Sequence, residues 1–352
     1  MGTSAPTFKE LRRYANKTRT PLGNFFLSQP PTINLAVPDF RTHRDMEISS
    51  PSPDLIETIG ICKARQDWFR DYAIANELGT VGVAGSISRF ADITDVASNL
   101  RSLLAFDIGE RSNLATLDDV YRHLSERLDE LGVLVMKNGM VGLNTHRKLN
   151  PEEFRGFALF DEYAPLIFVN GADVRAAHIF TLCHEFVHIA VGESALTNAA
   201  TPEAQVETVY TNSIERWCNQ VAAEILIPAD HLRREFDSDS HLEAETHRLS
   251  RIYKTSKHVV LHSLKDANLV TWESFEEAYN ALRDAWGSAP KLNVNGGGDF
   301  YRGQIVRLGR RLSTALVSDT IEGQTLYSDA YRLLGSKKHD SFMRFAKELG
   351  LR

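Results

Sequence analysis

A histidine, a glutamate and a second histidine carry the clearest chemical signal in this sequence. His184, Glu185 and His188 form the pattern His-Glu-x-x-His inside an apolar run. On an α-helix, residues four apart lie on the same face, so both imidazoles can reach one metal ion. The carboxylate between them can then take a proton from a metal-bound water as that water attacks a polarised carbonyl group. The pattern therefore predicts a zinc site with hydrolytic chemistry.

The alternative for this motif is a helix with two solvated histidines. The flanking residues argue against it, because apolar side chains surround the motif on nearly every side, as in a buried helix. These side chains are Ile179, Phe180, Leu182, Phe186, Val187, Ile189 and Ala190. Burial of two histidines and a glutamate without partners costs several kcal/mol. We therefore expect the two histidines to bind a metal ion and Glu185 to lie beside it.

A catalytic zinc ion takes three protein ligands and a water molecule, so the motif needs a third ligand from elsewhere in the chain. Metzincins supply it from a histidine six residues after the motif, with a glycine at the third residue. This chain has Val191 and Ser194 at those two positions, which excludes the metzincin arrangement. The third ligand has to come from a more distant segment.

A second apolar helix is predicted between Ser213, a suitable N-cap, and Pro228, which ends it. Glu215, Asn219 and Ala222 share one face, and the small side chain of Ala222 allows a close approach to the first helix. Glu215 is therefore the expected third ligand. Asn219 is placed to hydrogen-bond a ligand or the neighbouring chain. The alternative for Glu215 is a solvated carboxylate favoured by the helix dipole.

These two segments resemble the ImmA/IrrE family of metallopeptidases. Residues 175–189 resemble its pattern Arg-x-x-Phe-Thr-x-x-His-Glu-x-x-His, and Glu215, Asn219 and the ending Ala-Glu-Ile-Leu-Ile-Pro at 223–228 resemble its pattern Glu-x-x-x-Asn-x-x-Ala-x-x-Leu-hydrophobic-Pro. The spacing between the two parts also suits that family. One departure lies at the start, where Arg175 is followed by Ala-Ala-His-Ile-Phe instead of leading directly to the Phe-Thr step. The role of Arg175 is therefore open.

The resemblance implies that His184, His188 and Glu215 bind Zn²⁺ and that Glu185 is the catalytic base. It also implies a protein substrate, commonly a DNA-binding repressor whose cleavage induces a stress, mobile-element or defence operon. A toxin encoded nearby is the other expected partner. We expect a zinc endopeptidase of narrow specificity. The alternative is a non-catalytic, antitoxin-like or transcriptional binding protein with a zinc-stabilised core, although such a site has no use for a base.

A peptidase of this type also needs a group that stabilises the oxyanion of the reaction. The sequence does not single out this group. Three polar residues near the two motifs are candidates for oxyanion or substrate contacts, namely Arg175, His178 and Tyr210.

The composition suits a protein of the reducing cytoplasm. The chain has 352 residues with 43% apolar side chains, enough for a sizeable core. Its three cysteines include no Cys-x-x-Cys pair, which argues against a disulfide framework. No apolar run reaches the roughly 18 residues that a membrane-spanning helix needs. We therefore expect a cytoplasmic location without membrane contact.

The formal net charge of −6 is unevenly distributed. Residues 1–20 and residues 299–352 each carry a net charge of +4, so the rest of the chain is strongly acidic. Basic ends can contact nucleic acid, although a solvated basic helix is the commoner explanation. Any nucleic acid contact is therefore expected at the two ends.

The pattern of helices, strands and turn residues divides the chain into four parts. Residues 1–50 resemble the last helix and exit of an Xre-type helix-turn-helix, with the rest of that unit missing, followed by a linker. Residues 51–230 are predicted to form the zinc metallopeptidase domain. Residues 231–290 are predicted to form a helix-turn-helix-like helical cap, and residues 291–352 a linker and a basic helical tail.

The fold class expected from these elements is α+β and mainly helical. Short apolar runs at 132–136, 156–160 and 165–169 predict a three-stranded sheet packed on a zincin-like pair of active-site helices. An exposed edge of such a sheet can hold an extended peptide by backbone hydrogen bonds. The sheet would then lay the scissile carbonyl over the metal.

Apolar spacing predicts further helices on both sides of this core. Two lie over 52–79 and 92–106, and a third starts at Thr116. Three more are predicted between residues 242 and 285. In the tail, the candidate core residues are Leu312, Leu316, Ile321, Leu326, Leu333 and Leu334.

Overall fold

A short helix, α1 (Phe8–Thr18), and a 3-10 turn (Leu22–Phe26) lie near the N-terminus. A helix is thus present in the segment predicted to contain one, whereas residues 30–50 lie outside the described residues. The computed structural model describes residues 6–18, 20, 22–29, 51–197, 213–288, 300–336 and 338–351. No helix within these ranges is long and apolar enough to cross a membrane.

Four helices precede the sheet: α2 (Pro53–Ala75), α3 (Ile93–Leu103), α4 (Ile108–Arg111) and α5 (Leu117–Glu130). The first two end earlier than predicted, because Glu77, Gly79 and Ala105 have φ angles of 53°, 73° and 45°, which a right-handed helix does not accommodate. The start of α5 is as predicted. Thr116 Oγ1 accepts from the Asp119 amide at 3.2 Å, and Asp119 Oδ2 accepts from the Thr116 amide at 3.0 Å.

A mixed sheet follows these helices. Its strands are β1 (Leu134–Asn138), β2 (Gly156–Leu159), β3 (Leu166–Asn170) and β4 (Ala195–Thr197). They lie in the order β1-β3-β2-β4. β1 is parallel to β3, and β2 is antiparallel to both β3 and β4. β4 is therefore one edge of the sheet.

The mainly helical α+β class is confirmed, but the predicted number of three strands is wrong. The three predicted strands are present within two residues of their expected bounds, and β4 is the additional one. β4 is only three residues long, too short for an apolar pattern to be visible in the sequence. Its pairing with β2 places Thr197 opposite Gly156.

The two faces of the sheet contribute to different cores because side chains alternate along each strand. One face packs against α2 through Leu134, Met136, Phe157, Leu159, Leu166, Phe168 and Leu196. The other face packs against α5 and the motif helix, α6 (Arg175–Val191), through Val135, Ala158, Ile167 and Val169. The strands are therefore buried on both sides, which explains their continuous apolar sequences.

The predicted pair of active-site helices is present. α6 ends at Gly192, whose φ of 88° suits a glycine C-cap. It packs against α7 (Ser213–Leu226), in which Ala222 is fully buried, as expected for a close approach. Pro228 follows α7 and is the N-cap residue of α8 (Ala229–Glu235).

Three helices follow in the segment predicted as a cap: α9 (Leu242–Tyr253), α10 (Lys257–Asp266) and α11 (Trp272–Ser288). Residues of α9 and α10, among them Leu249, Tyr253 and Val260, belong to the same core as α6. α11 packs on α10 through a smaller cluster formed by Leu261, Phe275 and Tyr279. The first two helices of this segment are thus continuous with the core around the motif.

Four helices form the last segment: α12 (Phe300–Leu308), α13 (Arg310–Ile321), α14 (Tyr327–Leu334) and α15 (His339–Glu348). The predicted core residues Leu312, Leu316, Leu333 and Leu334 are buried. Ile321 and Leu326 are exposed, which corrects the prediction. They lie at the last position of α13 and the N-cap of α14, where the chain turns outward.

This segment also lies against the edge of the sheet formed by β1. The contact is closest at Gly309, between α12 and α13, where an added Cβ would lie 2.6 Å from the Val135 carbonyl oxygen. Gly309 has a φ of 81°, so only glycine fits this approach without strain.

Candidate metal centre

Three side chains from the paired helices meet at one point. His184 Nε2 and His188 Nε2 lie 3.0 Å apart on α6. Glu215, on α7, places Oε2 3.3 Å from His184 Nε2 and Oε1 3.0 Å from His188 Nε2. All three residues offer ligand atoms within 4.8 Å of one another, and no other group of three or more such residues occurs in the described part of the chain.

The burial of α6 fixes the two imidazoles. Every residue of α6 from Thr181 to Ala190 is buried, and the side chains of His184 and His188 have no exposed surface. Glu215 retains 21% exposure, so solvent reaches the group from the α7 side. The helical spacing of four residues and the close approach of α7 together account for the convergence.

The charges in this group are set by its burial and by the carboxylate. Burial would raise the pKa of Glu215, but the bonds to His184 and His188 outweigh it and hold that pKa far below its usual range. For His184, burial opposes protonation, and the Glu215 carboxylate overcomes it and raises the pKa. Burial dominates at His188 and lowers its pKa. One carboxylate and two imidazole nitrogens thus face one another.

Two residues of α7, Cys218 and Asn219, lie near the imidazole rings. Cys218 Sγ is 3.8 Å from His188 Nδ1, and burial raises the pKa of the Cys218 thiol. Asn219 lies close enough to His184 to raise the pKa of that imidazole. Asn219 thus lies one turn beyond Glu215 and near His184, and its role in holding a ligand stays a prediction.

Glu185 lies beside the group in a fully buried position. Neither of its carboxylate oxygens has a hydrogen-bond partner among the described residues, and burial raises its pKa to about 8. The Thr197 side chain, on β4, counteracts part of this shift. The buried carboxylate is thus available to exchange a proton.

Gly156 provides the space for this carboxylate. An added Cβ at Gly156 would lie 2.6 Å from Thr181 Cγ2 and 3.1 Å from Glu185 Oε1. The sequence reasoning missed both Gly156 and Thr197. A glycine inside a strand often marks such a close approach, and this was the one available signal.

The three candidates for oxyanion or substrate contacts have different surroundings. Arg175 is the first residue of α6, about 14 Å along the helix axis from His184, and its Nη1 lies 2.9 Å from Asp118 Oδ2. His178 is buried, and burial and the nearby Lys137 lower its pKa to about 4. Neither belongs to the group of three. Tyr210 lies outside the described residues.

Comparison with protein families identifies the segment that holds this group. Residues 128–265 match the model of the IrrE N-terminal-like domain, the M78 peptidases. This segment belongs to the ImmA/IrrE family. The ImmA/IrrE domain includes the sheet, the helix pair α6 and α7, and α9 and α10. It is a zincin-like metallopeptidase domain, so its substrate is a protein, and the resemblance seen in the sequence is confirmed.

The last segment has a match of its own. Residues 308–348, from the end of α12 to the end of α15, match a domain of unknown function (DUF8813). A comparison with curated proteins found no match. The ImmA/IrrE domain is thus the part of the chain whose chemistry the comparisons describe.

Proposed function

We propose that this chain is a zinc-dependent endopeptidase of narrow specificity that acts in the cytoplasm on a regulatory protein. The observation that carries the proposal is the convergence of His184, His188 and Glu215 beside the buried carboxylate of Glu185, which has no hydrogen-bond partner among the described residues. A structural zinc site is usually closed by four protein ligands and needs no base, whereas a hydrolytic site needs three ligands and a carboxylate beside them.

The residues present fit a zinc ion. Two imidazole nitrogens and one carboxylate oxygen form a donor set typical of catalytic zinc, with a fourth position left for water. The Glu215 oxygens lie 3.0 and 3.3 Å from the two Nε2 atoms, and these Nε2 atoms lie 3.0 Å from each other, so the donor atoms are close enough together for one cation to bind them all. His184, His188 and Glu215 would hold the ion. Zinc at such a site lowers the pKa of a bound water and polarises a carbonyl group.

The side chains of this domain supply the proton transfers. Neither oxygen of Glu185 has a hydrogen-bond partner in the described part of the chain, so the carboxylate can accept a proton from a water molecule and return it to the leaving amine. Gly156 leaves room for the carboxylate, and Thr197 lies next to it on β4. Cys218 lies against Nδ1 of His188, and Asn219 lies near His184, so both side chains restrict the positions of the rings.

The sheet offers a place for an extended substrate. β4 is an edge strand, and its residue Thr197 lies near Glu185. A peptide that added to this edge by backbone hydrogen bonds would run past the carboxylate. The resemblance to the family favours a DNA-binding repressor as that substrate, within a stress, mobile-element or defence operon, with a nearby toxin as the other choice. Nucleic acid contact through the basic ends stays a prediction.

The competing function is that of a non-catalytic, antitoxin-like or transcriptional binding protein with a zinc-stabilised core. The complete burial of His184 and His188 between helices suits such a core. The two functions differ in their need for Glu185, because a structural site binds zinc equally well without a base.

The test is to co-express the chain with the repressor or toxin encoded next to it and to compare the wild type with Glu185→Gln. We expect specific cleavage by the wild type, no cleavage by Glu185→Gln, and equal zinc content in both. Glu243→Gln, an identical substitution at an exposed position of α9, is the matched control and should cleave normally. Binding of the partner without cleavage by either protein would favour the non-catalytic function.

A further inference from the structure

A cavity of about 340 Å³ lies between α2 and α14. α2 packs on the face of the sheet opposite α6, so this cavity is separate from the candidate metal centre. Its wall is formed by Gly60, Ile61 and Ala64 on one side and by Leu333 on the other. The volume is at the lower end of the range found for small-molecule sites.

Arg65 lines this cavity and is a buried cation without an anion. Arg65 is only 7% exposed. Among the described residues, no carboxylate forms an ion pair with it. Nε donates to the Leu333 carbonyl oxygen at 2.9 Å, and Nη1 lies 3.9 Å from Met136 Sδ, a weak acceptor. Burial lowers the pKa of Arg65. A buried charge in this state is costly unless an anion joins it.

A second buried arginine, Arg111, has protein acceptors for its whole guanidinium group and so serves as a comparison. Arg111 has no exposed surface, and its guanidinium donates to four backbone carbonyl oxygens, those of Phe106, Ile225, Leu226 and Tyr253. Arg65 has one carbonyl oxygen and a thioether. The Nη2 atom of Arg65 has no protein acceptor among the described residues. This atom is also partly exposed. The open space that Arg65 lines is the cavity.

The rest of the lining restricts the ligand. Gly60 faces open space, since an added Cβ there would meet no atom within 4 Å. Glu57 lies at the cavity and pairs with Arg147 at 2.6 Å, and Arg332 pairs with Asp329 at 3.3 Å. Arg65 is therefore the one lining cation without a carboxylate partner. One positive charge and a hydrocarbon wall suit a monoanion better than phosphate.

We propose that this cavity binds a small organic monocarboxylate with an apolar body, whose carboxylate accepts hydrogen bonds from the Arg65 guanidinium. The apolar part of the ligand would lie along Gly60, Ile61 and Leu333. The ligand would contact α14, within the domain of unknown function, and α2, which packs on the sheet of the ImmA/IrrE domain. This site does not depend on peptidase activity.

The test uses the full-length, zinc-loaded chain and two probes of equal length, hexanoate and 1-hexanol, with binding followed by calorimetry. We expect hexanoate to bind with one site per chain and about tenfold more tightly than 1-hexanol, because only the carboxylate gains charge-assisted hydrogen bonds. Arg65→Met should remove the preference for hexanoate. Equal affinity for the two probes, no hexanoate binding, or tighter binding of inorganic phosphate would overturn the proposal.

A second variant separates this site from the zinc and from any loss of folding. Gly60→Leu fills the cavity, and it places a better helix former inside α2, so it should keep the fold. We expect this variant to lose binding of hexanoate while its zinc content stays unchanged. If Gly60→Leu binds hexanoate as the wild type does, the probe occupies another place, such as the metal centre, and the assignment is wrong.

Discussion

The two faces of the central sheet have opposite characters. The face toward α2 carries stacked aromatic rings, with Phe157 and Phe168 centroids 4.9 Å apart, and its strand side chains are apolar. The face toward α6 carries Gly156 and Thr197 beneath a carboxylate that has no hydrogen-bond partner among the described residues. Both faces are packed, but in the described part of the chain only the face toward α6 places a buried carboxylate between the strands and a helix. The difference predicts that substitutions on the two faces affect different properties.

The largest effect is expected at the metal centre itself. His184→Ala removes one of three donors, so zinc affinity should fall by more than about 100-fold and cleavage should become undetectable. Elemental analysis of the purified protein measures the zinc content per chain. Retention of zinc by this variant would show that the ligand set is wrong.

On the aromatic face, Phe157→Ala should lower the free energy of unfolding by about 3–5 kcal/mol, because it opens a cavity beneath Phe168. Urea denaturation measures this change. Zinc bound per folded molecule should stay at the wild-type value. A loss of zinc from the folded variant would mean that the two faces are not independent.

On the opposite face, Gly156→Ala should reduce the rate of cleavage by about 100-fold, because the new methyl group displaces Thr181 and Glu185. Its matched control is Gly60→Ala, since a Cβ there meets no atom within 4 Å. The control should be as active as the wild type and slightly more stable. The two rates are compared with the substrate found by co-expression, and equal rates would contradict the role given to Gly156.

A smaller effect concerns the polar end of the α6 face, where burial and Lys137 lower the pKa of His178 to about 4. The unfolded chain binds a proton here below about pH 6.5, whereas the folded chain stays neutral until about pH 4. The contribution of His178 to the free energy of unfolding is therefore complete above pH 6.5 and is lost as the pH falls toward 4. At pH 5 the loss is about 2 kcal/mol.

His178→Gln should make the free energy of unfolding less dependent on pH between 6.5 and 4. The measurement is urea denaturation of the wild type and the variant with a chelator present, so that zinc loss at low pH does not contribute. A variant with the same pH dependence as the wild type would show that His178 titrates normally in the folded protein.

The sequence was sufficient for the parts of the site that follow from helical geometry. The spacing of His184 and His188 fixes their common face, and the pattern around Glu215 predicts a second buried helix. Gly156 and Thr197 could not be found in this way. They meet Glu185 through the register between β2 and a three-residue strand, and register depends on the whole sheet.

Dependence on distant parts of the chain also explains the wrong predictions outside the site. Apolar spacing identified Leu312 and Leu316 as core residues, but it could not show that Ile321 and Leu326 lie where helices end and turn outward. The surroundings of Arg65 are formed by Met136 and Leu333, which lie 71 and 268 positions away in the chain. Such long-range contacts leave no local pattern.

The close approach of Gly309 to β1 has a consequence for association between copies of this chain. An uncovered strand edge is a template for pairing with another strand and so for aggregation. The helices on either side of Gly309 cover the β1 edge, and β4 is the remaining edge of the four described strands. Within the described residues, the sheet is thus blocked against growth on the side away from Glu185, and β4, on the side of Glu185, is the edge left to accept a strand.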